Sequence, residues 1–80
     1  MKCHVTDDEC GTNAVADLGA NVSLGEDGHR LTEIVISMLD LQMNLLDEIL
    51  VSDEMKGDTR ILTWEWSDGR GMPITFTFTK

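Results

Sequence analysis

The chain has 80 residues, with 15 Asp or Glu against 6 Lys or Arg, giving a net charge of −9 and a pI near 4.3. That length allows one small domain, which buries only about 60–65% of the surface its unfolded chain exposes. The charge argues against direct binding to nucleic acid or anionic membranes, and no apolar run is long enough to span a bilayer.

A content of 41% hydrophobic residues, with two Trp and two Phe, is that of a folded domain. The N-terminal MKCHVTDDEC lacks the apolar core of a signal peptide, so a soluble, cytoplasmic chain is expected. Periodicity divides the chain into an irregular arm over 1–30, a helix over 31–56 and a β-hairpin over 60–79.

In the arm, MKCHVT reads as a short strand with Cys3 and Val5 on one face, followed by the turn-prone DDECGTN. Ala14 to Leu18 fits a helical turn capped by Asn13 and ended at Gly19. Ala20, Val22 and Leu24 alternate with Asn21 and Ser23, the period of a half-buried strand, and GEDG at 25–28 turns the chain. Cys3 and Cys10 read as free thiols in a reducing cytoplasm; a disulfide between them requires an oxidising compartment. Asn21-Val22-Ser23 matches the glycosylation pattern, which carries no weight without a secretory signal.

The middle segment predicts a helix from about Leu31 to Met55, ended by Gly57, a rod of about 37 Å. Leu31, Ile34, Val35, Met38, Leu41, Leu45, Leu46 and Ile49 fall on one face, widened by Ile36, Leu39, Met43 and Leu50. An apolar arc of roughly 200° is wider than the usual stripe of a surface helix. Either the N-terminal arm or a second copy of the chain must cover the excess.

In RILTWEWS, Leu62, Trp64 and Trp66 share a face, and in PITFTFTK so do Ile74, Phe76 and Phe78, with glycines between the two runs for the reversal. These aromatic faces are expected in the core, both tryptophans included. The fold class is α+β: one long central helix packed on a small antiparallel sheet, made of the C-terminal hairpin plus one or two N-terminal strands.

The soft ligands Cys3, His4, Cys10 and His29 lack the paired spacing of a structural zinc site. A metal-stapled domain is therefore a third class, less favoured than an inhibitor or a homodimeric adaptor. A Cys–His nucleophile in the arm has no glycine-built oxyanion site beside it, and no motif points to a cofactor; the expectation is a non-enzyme with no cofactor or metal.

The acids remain. Glu33, Asp40 and Asp47 recur every seven residues, about 10.5 Å apart on the predicted helix and drifting only about 20° per step. Glu48, Asp53 and Glu54 continue the row, and Asp7-Asp8-Glu9 and Glu26-Asp27 form further clusters. No Lys or Arg is interleaved to give the i,i+4 pairs that support an exposed helix. Duplex DNA carries one charge per roughly 1.7 Å, so nine net charges match about 15 Å of duplex.

In size, charge and one-helix-plus-hairpin make-up, the whole chain resembles the small acidic inhibitors encoded by phages, among them the DNA-mimicking anti-CRISPR proteins. The resemblance rests on no diagnostic motif. It implies a non-enzymatic protein of the bacterial host cytoplasm that occupies a basic, nucleic-acid-binding surface of a Cas complex. The candidate partner-binding residues are Glu33, Asp40, Asp47, Glu48, Asp53, Glu54, Glu26 and Asp27, taken from the charge pattern alone. The alternative is a small homodimeric adaptor that uses the wide apolar helix face, with acidity serving solubility. A monomer and a homodimer are both open.

Overall fold

A computed structural model describes residues 1–7, 12–67 and 73–80. Its elements are β1 (Lys2–Asp7), β2 (Thr12–Asp17), α1 (Gly28–Leu39), a 3₁₀ turn at Leu45–Asp47, β3 (Glu48–Lys56), β4 (Thr59–Trp66) and β5 (Ile74–Thr79). The strands form one sheet in the order β2-β1-β5-β4-β3, with every neighbouring pair antiparallel. The α+β class holds, with one helix packed on the sheet, but the sheet has five strands where the hairpin plus one or two was expected.

Alternation within the strands builds the core. Cys3 and Val5 of β1, Leu62 and Trp64 of β4, and Phe76 and Phe78 of β5 are all buried on the helix side. Register aligns them in rows: Ala16, Cys3, Phe78 and Arg60 in one, and Ala14, Val5, Phe76 and Leu62 in the next. Onto these rows α1 lays Leu31, Thr32 and Val35. The Trp64 indole N–H donates to Thr32 Oγ1 (3.0 Å), and the Thr32 hydroxyl donates to the Gly28 carbonyl (2.8 Å). Every polar atom of that buried contact thus has a partner.

The long helix is the main correction. α1 has 12 residues, not the span from Leu31 to Met55, and so is about 18 Å long. It ends where Asp40 takes the left-handed conformation (φ 52, ψ 45) and its N–H bonds the Ile36 carbonyl. Residues 48–56 form β3 instead, pairing with β4 from Glu48 opposite Trp66 to Lys56 opposite Thr59. The Gly57-Asp58 turn reverses the chain so that β3 pairs along β4, and β3 becomes the edge of the sheet. Gly57, read as a helix stop, is the first residue of a two-residue hairpin turn at φ 59, followed by Asp58.

The single 200° apolar face therefore does not exist. Leu31 and Val35 face the core from α1, while Leu41, Met43, Leu45 and Leu50 pack against it from the segment that follows. Residues 14–18, expected as a helical turn, lie largely in β2, where Asn13 pairs with Thr6 and caps nothing. Ala20, Val22 and Leu24 fall in an irregular connection, not a strand. Trp66 is on the core side as the alternation requires, yet as the last residue of β4 it is 48% exposed. The DDECGTN break and the SDGRGM reversal lie mostly outside the described residues, as does Cys10.

Candidate acidic surface and groove

A one-residue bulge between Leu50 and Ser52 fixes which acids face the helix. It leaves Val51 unpaired, so Leu50 lies opposite Trp64 and Asp53 opposite Leu62, both on the helix side. From there Asp53 grips Arg60 with two bonds, Nε to Oδ1 at 2.9 Å and Nη2 to Oδ2 at 2.8 Å. Arg60 Nη1 donates to the carbonyls of Leu24 and Glu26, which ties the 18–27 connection to the sheet. The guanidinium holds the Asp53 carboxyl below its ordinary range, and Asp53 in turn raises Arg60.

Glu48, five residues earlier on β3, has the opposite environment. Its carboxyl is raised above the ordinary value, first by burial and then by the like charges of Asp47 and Asp7. No hydrogen bond or cation meets it among the described residues. Asp47 accepts a 3.3 Å bond from the Asn44 amide.

The register sorts charge toward the two ends of the sheet. Asp17, Lys2, Thr79, Thr59 and Lys56 form the terminal row at one end, where Lys80 follows β5. At the other end stand Asp7, Asp47, Glu48 and Glu65. Five residue steps of β1, about 17 Å, separate Lys2 from Asp7.

The predicted site residues separate accordingly. Asp47 and Glu48 come together at the acidic end. Glu33 lies on α1, where it binds His29 Nδ1 at 2.9 Å. Asp40 caps the end of α1, and Asp27 caps its start, accepting from the N–H groups of His29 (2.8 Å) and Arg30 (3.2 Å). Arg60 engages the Asp53 carboxylate, which is therefore structural, but it meets Glu26 only at the backbone carbonyl and leaves the Glu26 carboxylate out of that contact. Glu54 is exposed on the opposite face of the sheet, across from Ile61. The seven-residue row dissolves because its members lie on three different elements.

Two adjoining cavities run between α1 and the segment 43–50, of about 340 and about 650 Å³, with His29 and Leu45 lining both. Sequence periodicity hid this groove, since it placed both walls on one helix. The missed signal was Gly57-Asp58 between two apolar runs, a hairpin signature. The groove's floor includes Trp64, whose ring meets His29 edge-on at 5.7 Å.

Cys3 and His4 project to opposite faces of the sheet, and burial pushes the Cys3 thiol up to about 12. Among the described residues, no three His, Cys, Asp or Glu side chains converge as a metal site requires. No helix there is long and apolar enough to cross a membrane. Comparison with protein-family models, curated proteins and solved structures found no match to this chain.

Proposed function

We propose that the chain is a non-enzymatic inhibitor whose acidic end mimics the charge of DNA. It occupies a basic nucleic-acid-binding surface of a host defence complex, in the first instance a Cas surveillance complex. The observation that carries this reading is the placement of charge: Asp47 and Asp7 lie close enough to Glu48 to repel its charge, while Lys2, Lys56 and Lys80 stand at the far end beside Asp17 and Asp58. Holding like charges together costs stability, and a basic partner recovers that cost when it binds. The same arrangement steers a basic surface to one end of the molecule.

The test is competition with a duplex target for purified Cas surveillance complexes. At least one complex should release its duplex, and raising salt from about 50 to about 200 mM should weaken that inhibition by about tenfold or more. Failure to displace DNA from any complex at low salt contradicts the proposal.

A second reading rests on β3, an edge strand with Ile49, Val51 and Met55 each about half exposed. Such an edge can pair with a second copy and make a homodimer. Sedimentation separates the two, since a species of 8.9 kDa at all concentrations removes the dimer.

A further inference from the structure

We propose that the groove between α1 and residues 43–50 is the docking site for an arginine-bearing segment of the partner protein, one that also carries an apolar side chain. This rests on the reading of the chain as a binder of basic surfaces, and it names the place and the chemistry. One end of the groove is apolar, lined by Ile36, Met43 and Leu45. At its lip stands Leu46, 91% exposed on the 3₁₀ turn. An exposed leucine beside an apolar cavity offers contact to an apolar side chain and gains nothing from water.

The other end is acidic. Glu26, Asp27, Glu48 and Asp53 line it, and Arg60 is the opposing cation. Arg60 holds Asp53, and Asp27 is spent on the helix cap, so among the described residues two carboxylates are left to receive a charge, that of Glu26, whose backbone carbonyl alone meets Arg60, and that of Glu48. Leu50 and Trp64 lie beside it as apolar walls. An arginine matches this pairing, with an aliphatic stem for the walls and a weakly hydrated cation for the carboxylate. A second copy of the chain would bring the same acids against these, and nucleic acid would bring phosphates. Charge complementarity therefore favours a basic protein segment over either.

The test uses two blocked 12-residue peptides of equal charge, one alternating Arg with Leu and the other Arg with Gly, each titrated into the whole chain and followed by amide NMR. The Arg–Leu peptide should shift the amides of residues 29–37 and 43–50, and should bind about tenfold more tightly than the Arg–Gly peptide. Leu46→Ser and Glu48→Gln should each weaken it by about fivefold, and Glu54→Gln on the far face by less than about twofold. Leu46 is too exposed for its replacement to threaten the fold. Equal binding of both peptides, with shifts spread over all the acids, overturns the groove but leaves the acidic-surface reading standing. No binding of either peptide overturns both.

Discussion

Asp53 and Glu48 are carboxylates on one strand, on one face, lining one groove, yet their environments oppose each other. Asp53 meets a bidentate guanidinium and is held ionised. Glu48 meets burial and two further acids, and its ionised form is disfavoured. Of these contacts only Asp47 is a neighbour in the sequence; the β3 bulge and the register with β4 decide the rest. Asp53 uses its charge inside the fold, whereas Glu48 meets no hydrogen bond or cation among the described residues. A strongly acidic composition therefore says little until each carboxylate's partner is known.

Removing the cation is the harshest way to break this contrast. Arg60→Leu strands Asp53 and two carbonyls at once, and should lower unfolding stability in urea by about 3 kcal/mol. Asp53→Asn should cost less, about 1 kcal/mol, because the Asp53 side chain remains 38% exposed and water screens the pair. The double variant should lose less than the two losses added together, since both remove the same contact. Additive losses would mean that the pair is not coupled.

The contrast should also appear as two opposite slopes in a pH titration of stability. Between the ordinary 3.8 of Asp53 and its lower native value, the unfolded chain binds more protons, so stability falls as the pH drops through that window. Glu48 runs the other way. Between its ordinary 4.5 and its higher native value the folded chain binds more protons, so its contribution makes stability rise as the pH falls toward 4.5. Urea midpoints measured from neutral to acid pH should lose part of that rise in Glu48→Gln, and part of the later fall in Asp53→Asn. Unchanged profiles in both variants would contradict the assignments. The smallest effect has the opposite sign to the first: at neutral pH, Glu48→Gln should stabilise the fold by a few tenths of a kcal/mol, by relieving repulsion from Asp47 and Asp7.

The parts of this fold legible in the sequence are those where pattern and pairing agree. Cys3 and Val5, Leu62 and Trp64, and Phe76 and Phe78 alternate as strands, and the structure buries each pair. Residues 40–56 misled because Leu41, Leu45, Leu46 and Ile49 fit a helical period by coincidence. What overrode that period was pairing with β4 across the Gly57-Asp58 turn, which a window ending at residue 56 does not register. An apolar arc too wide for one helix was already a sign of two elements, reinforced by β-branched Ile49 and Val51 before Gly57-Asp58. Of the candidate site, the pair Asp47-Glu48 and the overall charge were readable. Which carboxylates have a partner within the fold was not, because the Arg60 contacts to Asp53, Leu24 and Glu26 span 7, 36 and 34 residues.

The most direct measurement compares charge reversal at the two places. Asp47→Lys/Glu48→Lys and Glu54→Lys/Asp58→Lys both move the net charge from −9 to −5, since each reversal adds two units. All four positions lie at or near the surface. Each double variant is titrated against duplex binding by a Cas surveillance complex that the unaltered chain inhibits. The Asp47/Glu48 variant should lose about tenfold or more in inhibition, and the Glu54/Asp58 variant less than about threefold. Equal losses would mean that net charge alone acts and that the acidic end is no site.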